Sequence, residues 1–190
     1  MDVDWNAELV DQLEWHWQHQ LRPRLNGLTD DEYFWEPVTG CWTISRRGQS
    51  RAPLSLGSGE FTMDYATLPH DREPITTIAW RLAHVIIVFA SMTASYFGGP
   101  PADWSIFSFS GTSKGALRQL DDAHDLWVTG VRGLGEAGLV RAQGSTSPPE
   151  YADAPMVKLV LHTNLEVVHH GAEVCLLRDL YLWKVGRDGA

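Results

Sequence analysis

The segment from Pro74 to Phe97 constrains the fold more than any other. It runs Pro-Ile-Thr-Thr-Ile-Ala-Trp-Arg-Leu-Ala-His84 and on to Tyr96-Phe97, apolar on nearly every side. Proline suits the first position of a helix, where no N–H is needed, and Gly98-Gly99-Pro100-Pro101 ends one, so the pattern predicts a helix of about six turns starting at Pro74. A helix without a polar side cannot lie on a surface, so it must be surrounded. The rest of the chain therefore has to supply several elements to pack around it, and its one imidazole, His84, becomes conspicuous.

The other periodic segments provide those neighbours. After Asp4-Trp5-Asn6, the residues Leu9, Leu13, Trp17 and Leu21 recur every three to four positions, which predicts an amphipathic helix closed at Asn26-Gly27. Thr29-Asp30-Asp31-Glu32 has the form of an N-cap with an acidic first turn, so a short helix through Tyr33-Phe34-Trp35 follows and breaks at Pro37. Thr112 or Ser113 caps a third long helix over roughly 114–134, with Leu117, Leu120, His124, Trp127, Val128 and Val131 on one side. Beyond Pro148-Pro149 a fourth is expected over roughly 155–183. The reading is an all-α, four-helix bundle in which residues 1–190 form one domain, as the length and the 44% hydrophobic content allow.

Residues 38–71 break the pattern. Gly, Ser, Arg, Pro and single aromatics replace helical periodicity, and no long alternation replaces it in turn. This predicts an irregular but ordered excursion between the first two long helices, with room for a short hairpin. Trp42, Phe61, Met63, Tyr65 and Leu68 would tie it to the bundle, where it could border a site.

Fifteen Lys plus Arg against twenty-four Asp plus Glu leave a net charge of −9, which argues against a nucleic-acid partner. Phosphate-binding glycine loops and internal repeats are absent. The N-terminus has no charged start leading into an apolar run, and uninterrupted apolar runs fall far short of the roughly 18 to 20 residues that span a bilayer. A cytoplasmic protein with no membrane partner is expected. Cys41 and Cys175 cannot build a disulfide scaffold and read as small buried hydrophobes.

The chemistry concentrates in the last helix, which carries His162, Glu166, His169, His170 and Glu173. At 100° per residue Glu166 and His170 lie about 40° apart, and Glu166 and Glu173 about 20° apart, so one face is polar. Side chains at i and i+4 stand close enough to reach one divalent ion together. His84, on the buried helix, is the natural third donor. His84, Glu166 and His170 would then form a two-His, one-carboxylate site with positions open for water or substrate. The same residues also suit a plainer arrangement, in which the helical pair is a surface salt bridge and the lone His is hydrogen-bonded in the core. Angles alone also leave open a triad using His162 or His169, which lie within about 20° of one another.

The helix with Trp80-Arg-Leu-Ala-His84, followed by a final helix with Asn164-Leu-Glu166-Val-Val-His169-His170-Gly171-Ala-Glu173, resembles the DinB family of four-helix bundles over nearly the whole chain. That family is grouped with bacillithiol- and mycothiol-dependent transferases, and Gly27 to Pro37 and His169 to Tyr181 resemble an actinobacterial branch of it. The resemblance implies metal ligands at His84, Glu166 and His170, with Glu166 standing where the family has a first His of the last-helix pair. A carboxylate there keeps a metal feasible while favouring harder ions. The implied cofactors are a divalent metal (Zn, Ni, Mn or Fe) and a mycothiol-like thiol. The implied activity is transfer of that small-molecule thiol to an electrophile, or an isomerisation of the maleylpyruvate type, by a homodimer. The alternative is a non-catalytic bundle that binds a small ligand or protein partner through a degenerate metal site.

Three further expectations concern the surroundings. Glu173 would support a ligand from one turn away. Trp15, Trp35, Trp42 and Trp80 could wall the cavity, with core packing the plainer reading of each, and Arg46, Arg47 and Arg51 could hold a carboxylate of thiol or substrate, with solvated loop charges the default.

Overall fold

The computed structural model describes residues 3–67 and 74–188. Helix α1 (Trp5–His16) starts at Asp4, whose carboxylate accepts the Ala7 N–H at 3.0 Å, and runs into a π-helical turn over Trp17–Leu21. A short α2 (Asp30–Tyr33) follows, capped by the Thr29 hydroxyl. Three long helices complete the bundle with α1: α3 (Ile78–Phe97), α4 (Ser113–Leu139) and α5 (Met156–Asp188).

The caps explain the boundaries. Thr77, not Pro74, begins α3, its hydroxyl accepting the Trp80 N–H at 3.2 Å. Residues 75–77 are instead extended: the Trp42 N–H donates to the Ile75 carbonyl and the Thr77 N–H to the Trp42 carbonyl, both at 2.9 Å. A strand-like pairing thus consumes the residues that proline's position assigned to the helix. Gly98, at φ 73°, supplies the left-handed residue that closes α3. Thr112 caps α4, which passes the expected end at Leu134 through a break at Gly135 (φ 57°, ψ 179°) and continues to Leu139.

As its composition requires, α3 is the central helix. Leu82, Ile86 and Phe89 are almost wholly buried, against Leu13 of α1, Leu120 and Trp127 of α4, and Val160 and Val167 of α5. By length and a mean hydropathy of 1.5 alone α3 is apolar enough to cross a membrane, a test that the buried core helix of a bundle also passes. Most of that window is covered by the other helices. Between helices, Arg178 of α5 meets buried Glu32 of α2 at 2.9 Å, and Arg22 grips Asp121 of α4 with two nitrogens, at 2.6 and 3.0 Å.

The excursion is more ordered than a hairpin. Strands β1 (Ile44–Arg46), β2 (Leu54–Leu56) and β3 (Phe61–Tyr65) form an antiparallel sheet in the order β1-β3-β2, with Ile44 opposite Met63 and Leu54 opposite Tyr65. Ile44 and Met63 are buried and Trp42, Phe61 and Tyr65 half-buried, while Leu68 lies outside the described residues. Asp64 is the rivet. Its carboxylate accepts the Thr43 N–H (2.9 Å) and the Ser50 hydroxyl (2.7 Å), and its carbonyl accepts the indole N–H of Trp80 on α3 (2.8 Å).

Candidate metal centre

That last bond fixes Trp80, and Trp80 in turn fixes His84 one helical turn further on. The two rings stack at 5.4 Å with planes 10° apart, and Trp104, from the segment after α3, approaches the imidazole at 5.5 Å from another direction. The apolar side of α3 thus delivers His84 in one orientation toward α5. There its Nε2 lies 3.0 Å from Glu166 Oε2, and His170 Nε2 lies 3.3 Å from the same oxygen. One donor atom from each of His84, Glu166 and His170 falls within 4.8 Å of the others, and all three side chains are only half-buried. A single ion could be reached by all three, with a side left for another molecule.

The second nitrogen of His170 has its own partner. Its Nδ1 lies 2.6 Å from Glu173 Oε2, and Arg81 Nε contacts that same oxygen at 3.0 Å. A carboxylate on Nδ1 places the ring proton there and leaves Nε2 with its lone pair toward Glu166 and His84. Glu173 is thus both the salt-bridged glutamate that its place on the helix suggests and a partner of the His170 ring. Arg81, a charged residue one turn before His84 in an otherwise apolar helix, holds Glu173 in place, and its Nη1 also lies 3.3 Å from His170 Nδ1. Trp104 was missed because its segment has no periodicity.

Electrostatics favour a cation. Burial pushes the His84 imidazole below its ordinary pKa, outweighing the opposing hydrogen bond to Glu166, so the ring is neutral at pH 7. For Glu166, burial would raise the carboxyl, but the bond from His84 and the nearby imidazoles prevail and hold it below the usual range. Neutral imidazole beside an ionised carboxylate is a donor set that need not release protons to take a divalent ion.

The competing histidines lie elsewhere. His169 is 63% exposed, meets the His170 ring edge-on at 4.8 Å and lies 3.6 Å from Glu173. With His170 and Glu173 it makes a second group of three donors, but Arg81 already neutralises the carboxylate of that group. His162 is exposed one turn before Glu166 and lines a separate cavity.

Of the four tryptophans expected to wall the site, Trp80 does so and Trp42 backs it at 6.2 Å. Trp15 is instead exposed and stacked on His19, and Trp35 packs edge-on against Tyr181 far along α5. Those two were placed by segment, whereas their direction is set by position around the helix. The arginine cluster does not face the site either. Arg46 pairs with Glu60, Arg51 with Glu36, and Arg47 donates to the carbonyls of Gly57 and Gly59, so all three brace the sheet and its loops. Cys41 is buried and Cys175 half-buried, and burial pushes both thiols up, away from nucleophilic character.

A bundle that gathers two imidazoles and a carboxylate from neighbouring helices has the arrangement from which helical proteins can build metal sites between their helices. The comparison with known families agrees and is more specific: the chain belongs to the DinB superfamily, which matches residues 12–174 and so includes all three donors. Members of that superfamily typically bind a divalent metal. No curated protein and no solved structure matches the chain.

Proposed function

We propose that this protein is a divalent-metal-dependent enzyme that moves a low-molecular-weight, mycothiol-like thiol onto a small electrophile, or uses it in an isomerisation. The observation that carries this reading is the convergence of His84, Glu166 and His170 within 4.8 Å at a half-open place between α3 and α5. A divalent cation such as Zn, Ni, Mn or Fe held there would draw the proton from a coordinating thiol and present sulfur as a nucleophile at neutral pH. That supply matters because neither protein cysteine can serve: both lie outside the site and their pKa values are raised.

In this mechanism Glu173 and Arg81 keep the His170 lone pair aimed at the ion, and Trp80 and Trp104 orient His84 and exclude water from one side. In transfer, sulfur bonds to the electrophilic carbon, the leaving group departs with its electron pair, and the thiol proton passes to solvent. A homodimer in the cytoplasm is part of the reading. It is supported by exposed Leu161, Leu165, Leu176 and Trp183 along the outer side of α5.

The test is elemental analysis of untagged protein, followed by turnover of mycothiol, bacillithiol and glutathione with a model electrophile. Near-stoichiometric metal that His84→Ala removes, with turnover of one thiol, is the expected result. Absence of metal after supplementation overturns the proposal. Light scattering checks the dimer.

A further inference from the structure

On α5, Lys158, His162, Glu166 and His170 follow one another at intervals of four residues. Such residues stack along one side of a helix, so the donor cluster continues toward the N-terminal end of α5 as a polar stripe. Beside its far end lies a cavity of about 280 Å³ between α3, α5 and the connection from α4. His162 belongs to its wall and sits one turn from Glu166, close enough to help hold that carboxyl's pKa down.

The wall chemistry is uneven. Met92, Leu159, Tyr96 and Tyr151 present apolar and aromatic surface. On one side the Tyr96 hydroxyl bonds to Ser147, whose hydroxyl donates to Gln143 at 2.6 Å, so a preformed polar edge exists before any ligand arrives. On the rim Lys158 places its ammonium 4.9 Å from the Tyr151 ring centroid and makes no ion pair among the described residues. It is one of three lysines in a chain of net charge −9, and the residues lining this cavity include no carboxylate to compensate it.

We propose that this cavity is a binding subsite for a small aromatic carboxylate, with its ring against Met92, Tyr96 and Leu159, its anion at Lys158 and its other end directed at the donor cluster. Size supports the class: an apolar cavity of about 150 Å³ holds one benzene, so the space here takes a ring with a few further atoms. Length supports the direction. Eight residues separate Lys158 from Glu166, about 12 Å along the helix, so one small molecule can touch the ammonium and approach the cluster. Only this direction rests on the metal reading above; the cavity and its cation do not.

The test separates the two. Calorimetric titration of 4-ethylbenzoate into chelator-treated protein should show millimolar or tighter binding. Replacing the ligand by neutral 4-ethylbenzamide, or the protein by Lys158→Met, should weaken it about 3- to 5-fold, the order of an exposed ion pair. Met92→Trp, which fills the cavity, should abolish binding while circular dichroism and the unfolding midpoint stay at wild-type values. In zinc-loaded protein 4-(mercaptomethyl)benzoate should bind more tightly than 4-ethylbenzoate, and His84→Ala should remove that gain. No binding of 4-ethylbenzoate, or binding that Lys158→Met and Met92→Trp both leave unchanged, overturns the subsite. Intact 4-ethylbenzoate binding without the thiol gain upholds the cavity and overturns its direction toward the donor cluster, while the metal reading stands or falls separately on the metal content of the protein.

Discussion

Two histidines sit in long helices of this bundle and meet glutamates from another helix, yet only one of them belongs to a candidate metal centre. His84 of α3 faces Glu166 of α5, and His124 of α4 faces Glu14 of α1, at 3.0 and 3.1 Å. Around His124 the carboxylate's other oxygen is held by Arg132 at 3.1 Å, no second imidazole among the described residues pairs with that carboxylate, and Trp17 covers the ring face at 3.8 Å. Around His84 a second imidazole shares the carboxylate, and the nearby guanidinium of Arg81 is taken up by Glu173. A His and an acid in contact are therefore not the signature. What separates the two places is which carboxylate the arginine neutralises, since a guanidinium on Glu166 would occupy the charge a cation needs.

The largest expected effects test that contrast directly. His84→Ala should remove bound metal almost entirely, whereas His124→Ala should leave metal content unchanged and cost about 2 to 3 kcal/mol of stability through the lost ring packing on Trp17. Plasma emission analysis and urea unfolding of both variants decide it. Metal loss in the His124 variant at full folding would erase the distinction.

A smaller effect sharpens the role of the displaced arginine. Glu173→Ala frees Arg81 and leaves Nδ1 of His170 without its acceptor, so metal affinity should fall about 10- to 100-fold, as for other outer partners of metal-bound histidine. Competition with a chromogenic chelator measures it. Arg81→Met should do less, because Glu173 still accepts from Nδ1. If Arg81→Met weakened binding more than Glu173→Ala, the direct approach of Arg81 Nη1 to His170 Nδ1, at 3.3 Å, would matter more to the site than its pairing with Glu173.

Much of this layout could be read from the chain, for reasons tied to particular residues. The apolar band of α3 and the i, i+4 spacing of Glu166 and His170 are local patterns, and a buried helix bearing one imidazole leaves few places for that imidazole to go. The β2–β3 hairpin is local, its closest pair Leu56 and Met63 seven residues apart, and fits the room left for a short hairpin; the third strand was hidden because β1 has three residues, too few for alternation to register, and its partner β3 is further along the chain. The start of α3 was misplaced for a related reason: Pro74 is a local signal, and the pairing of Trp42 with residues 75–77 that overrides it is not. Arg81 was present in the pattern all along, but its partner Glu173 lies ninety-two residues away, and only folding shows which acid it selects.

The smallest expected effect concerns the charge state of the histidine outside the centre. Burial pushes His124 below its ordinary pKa, outweighing the neighbouring carboxylates of Asp125 and Glu14, so the folded protein holds the ring neutral. The unfolded chain takes up that proton near pH 6.5. Below this value the unfolded state therefore binds more protons, and stability that is fully present above about pH 6.5 is lost as pH falls through the lowered native pKa. His124→Phe keeps a ring against Trp17 and removes the titration. Between pH 7.5 and 5.0 the urea midpoint of the wild type should fall further than that of the variant, other titrating groups being common to both. The opposite order would mean that His124 is charged in the folded state and paired with Glu14, in which case this cluster is a buried ion pair and its contrast with the His84 centre becomes one of charge as well as geometry.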